Sequence, residues 1–125
     1  MKHITEYTDF FLESVSFDLE STGNEDWDII LKTDEDQFTQ RIVEMTPTEF
    51  LNRVQWDRFE VDQSKVKRYI IEFLRGDTNI PTPTMWFQDK FQYENSFSPT
   101  WHDGSHRMLA LKKIGIEKVP VKIIY

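Results

Sequence analysis

The sequence predicts a single domain of mixed α/β class, in which short helices accompany the strands of a mixed sheet. Two kinds of apolar periodicity support this, because helical stripes and strand-like alternation both occur along the chain. Ten Phe and four Trp in 125 residues supply enough apolar surface for one hydrophobic core. The chain has no cysteine, so we expect a fold without disulfide bonds.

Residues 1–43 are predicted to form an acidic, β-rich extension that packs on the rest of the domain. The extension begins with a predicted helix over residues 5–13. Three strands of a meander are expected next, at residues 15–19, 27–31 and 38–43, with turn-forming residues between them. The periodicity gives no functional signal in this region.

Two helices with clear boundaries are expected in the remaining module, residues 44–125. Thr46, Pro47 and Glu49 have the spacing of an N-cap, a first-turn proline and a capping box. A second helix is predicted from Ser64 to the residue before Gly76. Its core-facing stripe is Val66, Tyr69, Ile70, Phe73 and Leu74. Four basic residues of this helix form a solvated face or border a phosphate site: Lys65, Lys67, Arg68 and Arg75.

The second half of the module is predicted to contain two strands. A proline-flanked strand is expected over residues 80–88, and residues 92–100 are expected to form a loop. The last strand alternates along residues 119–123, where Pro120 indicates an edge or a position without a ladder hydrogen bond. Between the loop and this strand lies the motif that carries the functional prediction.

Residues 101–110, with the sequence WHDGSHRMLA, predict a tight glycine turn that opens a helix. A helix N-terminus offers free backbone N–H groups and binds anions, usually phosphate. His106 and Arg107 lie in the first turn, where a positive charge is unfavourable unless an anion is bound nearby. The alternative is a ligand-free surface turn in which Asp103 caps the helix and pairs with Arg107.

The candidate phosphate- or nucleotide-binding residues are six consecutive positions: His102, Asp103, Gly104, Ser105, His106 and Arg107. Asp103 and His106 are the candidate catalytic residues, with His106 as a donor or acid and Asp103 positioning a metal ion or water. We expect no structural metal, because no fourth ligand accompanies the two histidines and the aspartate. Mg²⁺ carried by a nucleotide needs only one or two carboxylates, such as Asp103.

This motif and the strand after it resemble the ParB/sulfiredoxin-like superfamily, in which a G-x-H-R or G-E-R-R turn opens a helix and a VPV strand follows. The matching positions are Asp103, Gly104, His106, Arg107, Ala110, Gly115, Val119, Pro120 and Val121. The resemblance implies a nucleotide- or phosphate-binding protein similar to small stand-alone ParB-like proteins of phages and plasmids. It leaves open whether such a protein turns over its ligand as a phosphohydrolase or phosphotransferase.

The chain also departs from that pattern. Ser105 stands where sulfiredoxins have a reactive cysteine, which excludes thiol chemistry, and Met108 replaces the second arginine of the G-E-R-R version. ParB partition proteins continue into a helical DNA-binding domain. The chain ends at Tyr125, so we expect no centromere recognition.

Charge is distributed unevenly along the chain, which has a net charge of −7. Residues 1–50 hold thirteen Asp and Glu against three Lys and Arg, whereas residues 51–125 hold nine against twelve. The acidic half disfavours duplex DNA, which needs a continuous basic face. It supports an alternative function, a non-catalytic interaction or inhibitor protein whose acidic N-terminal face docks on a protein partner. Without a signal sequence or an apolar span, we expect a cytoplasmic protein; its oligomeric state stays open.

Overall fold

A computed structural model describes residues 15–76 and 79–125, which contain five α-helices and six strands. The helices are α1 (Glu25–Thr33), α2 (Pro47–Arg53), α3 (Gln63–Arg75), α4 (Lys90–Glu94) and α5 (Ser105–Lys113). The strands are β1 (Ser16–Asp18), β2 (Gln40–Met45), β3 (Asn79–Pro81), β4 (Thr84–Trp86), β5 (Trp101–Asp103) and β6 (Val119–Ile124). Two short 3₁₀ helices span Glu35–Gln37 and Arg58–Glu60. The mixed α/β class predicted from the sequence is confirmed.

A four-stranded mixed sheet, in the order β2-β6-β4-β5, forms the centre of the fold. Strand β6 pairs antiparallel with β2 and parallel with β4, and β4 pairs antiparallel with β5. A separate parallel pair joins β1 to β3 and so holds the N-terminal segment against the chain that enters β4. Among the described residues, no helix is long and apolar enough to cross a bilayer.

One face of the sheet carries the main hydrophobic core. Alternate residues of β6, Val121 and Ile123, are buried there against side chains of three helices. The largest of these are Phe50 of α2, Phe73 of α3 and Met108 of α5. This packing brings α3 and α5 side by side, which positions the residues of the predicted motif.

The other face of the sheet is covered by α1 through a cluster of aromatic rings. The ring centroid of Trp27 lies 4.4 Å from that of Trp86 and 4.9 Å from that of Trp101. Phe38 meets Trp86 edge to face at 4.9 Å. The N-terminal segment is therefore joined to the sheet by aromatic packing.

The predicted helix boundaries agree closely with the structure. Thr46 accepts a hydrogen bond from the Glu49 amide at the start of α2, and Gly76 ends α3 with a φ of 73°. Helix α3 begins one residue earlier than predicted, because Asp62 accepts the Lys65 amide as its N-cap. Of the predicted stripe, Val66 and Phe73 are fully buried, whereas Leu74 is exposed.

The predicted strand at residues 27–31 is wrong, because these residues belong to α1. Asn24 accepts the Trp27 amide as an N-cap, and three acidic residues occupy the first turn, where the helix dipole favours negative charge. Trp27 and Leu31 lie four positions apart and thus share one helical face. The β-rich meander is likewise wrong for residues 15–43, which hold β1, α1, a 3₁₀ helix and the start of β2.

Three further predictions differ from the structure in detail. Residues 80–88 form no single strand, because the chain divides into β3 and β4, which belong to different sheets. The predicted loop at residues 92–100 contains the end of α4. Strand β6 is not an edge strand. Its pairing with β4 begins at Lys122, so Pro120 lies outside the ladder between these two strands. The helix predicted over residues 5–13 lies outside the described residues.

Candidate functional site

The predicted turn and helix are present, and Gly104 is the residue that joins β5 to α5. Gly104 has a φ of 106°, in the left-handed region that favours glycine. A Cβ atom at this position would lie 3.0 Å from both Pro83 Cα and Arg107 Nη2. The turn therefore needs glycine for its conformation and for the close approach of the Arg107 side chain.

The N-terminus of α5 carries backbone donors that no side chain among the described residues caps. The first N–H groups of any α-helix lack intrahelical acceptors, so those of Ser105 and His106 are available to a ligand. Ser105 is only 6% exposed, and its Oγ has no hydrogen-bond partner among the described residues. A buried hydroxyl without a partner is costly, and an anion at this helix end would remove that cost.

Two adjoining depressions lie at this helix end. The smaller one is bordered by the turn itself, from Asp103 to Arg107, and by Lys65 and Tyr69 of α3. The larger one has a volume of about 310 Å³ and shares Lys65, Tyr69, Asp103 and Arg107 with the first. We call the two together the α5 cleft. It places one lysine and one phenol from α3 opposite the N-terminus of α5.

The Arg107 side chain, at the base of the α5 cleft, links the turn to two other segments of the chain by hydrogen bonds. It is 4% exposed, and it donates from Nη1 to the Pro81 carbonyl at 2.6 Å and from Nη2 to the Thr22 carbonyl at 3.1 Å. Asp103 Oδ1 lies 3.8 Å from Arg107 Nη2. The ion pair between Asp103 and Arg107, which is expected for a surface turn without a ligand, is therefore present. The Asp103 cap predicted with it is absent, since no described side chain caps α5.

Burial lowers the pKa of Arg107, while Asp103, Tyr69 and Asp28 oppose that shift. Guanidinium remains charged under such conditions, so a full positive charge stays next to the helix N-terminus. The two carbonyl acceptors and Asp103 compensate part of it. Both Nη atoms are engaged by carbonyl groups, so the guanidinium offers its charge, more than a free N–H donor, to the predicted phosphate.

His106 points from α5 toward the start of α3. Its Nε2 accepts a hydrogen bond from the Asp62 amide at 3.0 Å, and its ring meets Trp56 edge to face at 4.9 Å. Burial lowers the pKa of His106, and the Lys65 ammonium lowers it further, against smaller opposing effects that include Asp62 and Asp103. An Nε2 atom that accepts a hydrogen bond belongs to the neutral imidazole with its proton on Nδ1.

His102 does not border the α5 cleft, in contrast to the other five predicted binding residues. Its ring lies on β5, edge-on to Phe50 at 6.4 Å, and burial lowers its pKa against opposing effects of Asp103 and Glu60. Two aromatic residues on the N-terminal side of Gly104 also pack away from the α5 cleft. Trp101 contacts Trp27, and Tyr93 stacks on Tyr125 with centroids 5.8 Å apart.

The sequence pattern does not reveal Tyr69 as a residue of the site, because its place in the apolar stripe of α3 predicts a core residue. The pattern gives Lys65 only as one of four basic residues that border the site or face solvent. The usable signal is their i, i+4 spacing, which places both on the side of α3 that faces α5. Within the described residues, no group of three or more His, Cys, Asp or Glu side chains is arranged to hold a metal ion.

Comparison of the chain with protein-family models, with curated proteins and with solved structures gives no match.

Proposed function

We propose that this protein binds a phosphate group of a nucleotide-sized ligand in the α5 cleft. The observation that carries the proposal is the buried Ser105 hydroxyl, which has no partner in residues 15–76 and 79–125 and lies at a helix N-terminus that none of these residues caps. Backbone N–H groups of Ser105 and His106 donate to phosphate oxygens, and the Ser105 hydroxyl adds a third donor. Gly104 keeps the backbone close enough for these contacts.

Lys65 supplies a positive charge from α3 in this arrangement. It extends from α3 to the same cleft and needs no rearrangement of α5 to meet an anion. Neutral His106 does not add a second charge, and its acceptor atom is already engaged by Asp62. Arg107 contributes mainly by holding the turn in place, with its field favouring an anion at the same point.

The ligand extends beyond its phosphate into the larger part of the cleft. A volume of about 310 Å³ is at the lower end of the range for small-molecule sites, and Tyr69, whose ring stacks on Phe73, offers its hydroxyl to a base or sugar. Asp103 is partly exposed beside the proposed phosphate position and accepts a Mg²⁺ ion carried by a di- or triphosphate. These features support a nucleotide and agree with the ParB/sulfiredoxin-like resemblance, which stays a prediction.

Thermal denaturation with a panel of phosphate ligands tests the proposal. The panel contains phosphate, pyrophosphate and nucleoside mono-, di- and triphosphates, each with and without Mg²⁺. A ligand at about 100 times its Kd stabilises the folded state by about 2.7 kcal/mol, a shift that is easily measured. Release of inorganic phosphate from the same samples shows whether the ligand is turned over.

Variants then locate the site. Lys65→Met and Ser105→Ala are each expected to weaken binding roughly tenfold, since each removes one donor to an anion. Lys67→Met is the matched control, because Lys67 is an exposed lysine of the same helix and does not border the cleft. Stabilisation that is equal in Lys65→Met and Lys67→Met, or absent with every ligand, would refute the proposed site.

A further inference from the structure

A second cleft lies on the opposite face of the sheet, beneath α1, and has a volume of about 280 Å³. Lys122 of β6 forms its floor, and Ile29 and Leu31 of α1 form an apolar wall. The carboxylates of Glu20, Glu25 and Glu35 and the ammonium group of Lys32 stand around its rim. We call this the α1 cleft; none of the residues proposed to hold phosphate borders it.

The Lys122 side chain is unusual because it is 7% exposed and starts from β6, one of the two inner strands of the four-stranded sheet. Alternation along β6 directs it away from the core face, which receives Val121 and Ile123. No carboxylate of the described residues lies within 4.0 Å of its ammonium group, and no described residue accepts a hydrogen bond from it. A lysine this buried normally has a partner.

A fourth carboxylate, that of Asp28, also borders the α1 cleft, where its Oδ1 accepts the Thr22 amide at 2.8 Å and its Oδ2 accepts the Ser21 hydroxyl at 3.4 Å. The three rim glutamates are exposed. The cleft thus has the Lys122 ammonium at its floor and an apolar wall beside it, and its rim is negative overall because three glutamates outnumber Lys32.

We propose that the α1 cleft binds an apolar α-amino acid as its zwitterion. The carboxylate of the ligand pairs with Lys122, its ammonium group faces the rim glutamates, and its side chain lies against Ile29. Ile29 is 57% exposed, so this contact would cover apolar surface that is open to water. The cleft volume of about 280 Å³ accommodates a molecule of this size.

Isothermal titration of the full chain with leucine and two truncated analogues tests the charge pattern directly. The analogues are 3-methylbutylamine, which lacks the carboxylate, and 4-methylpentanoate, which lacks the amine. Leucine is expected to bind at least roughly tenfold more tightly than either analogue, because only leucine satisfies floor and rim together. If 3-methylbutylamine binds as tightly as leucine, the site is only an acidic patch that binds amines. If 4-methylpentanoate binds as tightly as leucine, the rim glutamates do not contribute. Either result overturns the proposal.

Variants separate the two charges. Lys122→Met and the double variant Glu25→Gln/Glu35→Gln are each expected to weaken leucine binding roughly tenfold, whereas Lys112→Met, an exposed lysine of α5, is expected to leave it unchanged. The rim variants change only exposed side chains, so they remain informative if Lys122→Met fails to fold. Absence of any leucine binding to the unmodified chain also overturns the proposal, without bearing on the phosphate ligands of the α5 cleft.

Discussion

Arg107 Nη2 donates a hydrogen bond to the Thr22 carbonyl at 3.1 Å and thereby ties the first turn of α5 to the N-terminal segment. Thr22 is held from its other side, since its amide donates to Asp28 of α1 at 2.8 Å. Nη1 of the same guanidinium holds the Pro81 carbonyl at the end of β3. One buried cation therefore connects α1, β3 and the α5 cleft.

We predict that Arg107→Lys destabilises the fold even in the absence of ligand. Lysine reaches one of the two carbonyls at most, and each buried polar group left without a partner costs roughly 1–3 kcal/mol. The expected loss is about 2 kcal/mol in the free energy of unfolding, measured by urea denaturation. Arg75→Lys at the exposed end of α3 is the control and is expected to change stability by less than about 0.5 kcal/mol. Equal stability of the two variants would contradict the structural role of Arg107.

Gly104→Ala is predicted to lower stability more than Gly115→Ala. Both glycines have positive φ angles, 106° and 89°, so both substitutions introduce backbone strain of roughly 1–3 kcal/mol. Only at Gly104 does the added methyl group also meet Pro83 Cα and Arg107 Nη2 at 3.0 Å. Gly115 is exposed and follows the end of α5.

Urea denaturation of the two glycine variants separates strain from close packing. An extra loss of about 1 kcal/mol in Gly104→Ala, above that in Gly115→Ala, is expected from the steric contact. We also expect Gly104→Ala alone to abolish stabilisation by the phosphate ligands. Equal losses in the two variants would show that the turn tolerates a side chain and that the close approach is unimportant.

The parts of the fold that the sequence predicts well are those with local signals. Thr46 and Pro47 mark the start of α2, Gly76 marks the end of α3, and the glycine turn at Gly104 marks the start of α5, because caps depend on neighbouring residues alone. Residues 27–31 were misassigned because a short apolar run fits either a strand or a helix. The acidic first turn and the Asn24 cap decide for the helix.

The parts of the site that the sequence does not predict depend on distant contacts. Arg107 was expected to hold phosphate, and nothing near it in sequence reveals that Thr22 and Pro81 supply acceptors for its guanidinium. The same holds for His106, whose acceptor atom is engaged by the Asp62 amide from α3. A motif thus locates a turn, but the tertiary structure decides which of its side chains face a ligand.

We predict that His106 makes the fold less stable below about pH 6.5, the usual pKa of an unfolded histidine. Its pKa is lowered in the folded state, first by burial and then by Lys65, so the unfolded chain binds more protons in the range between the two pKa values. Stability therefore rises with pH through this range and is lost as the pH falls. Protonation also removes the Nε2 acceptor of the Asp62 amide.

His106→Gln tests this pH dependence, because glutamine accepts the amide hydrogen bond without titrating. Between about pH 7.5 and about pH 5.5, the unmodified chain is expected to lose more stability than the variant, and the difference isolates His106 from the carboxylates that both share. NMR titration of the imidazole should give a midpoint below the usual value. Parallel stability curves, or a midpoint at or above about 6.5, would contradict the lowered pKa of His106.

Trp27→Ala is predicted to destabilise the domain because α1 is held on the sheet by this indole. The ring contacts Trp86 and Trp101 with centroids 4.4 and 4.9 Å away, and removing a half-buried tryptophan from such a cluster should cost about 2 kcal/mol. Phe59→Ala is the control, since that ring is 82% exposed, and a change below about 0.5 kcal/mol is expected. Urea denaturation gives both values, and a small loss in Trp27→Ala would mean that α1 is not docked on the sheet. In that case the α1 cleft would lose its apolar wall and the proposed amino-acid site with it, whereas the α5 cleft would keep its Lys65 and Ser105.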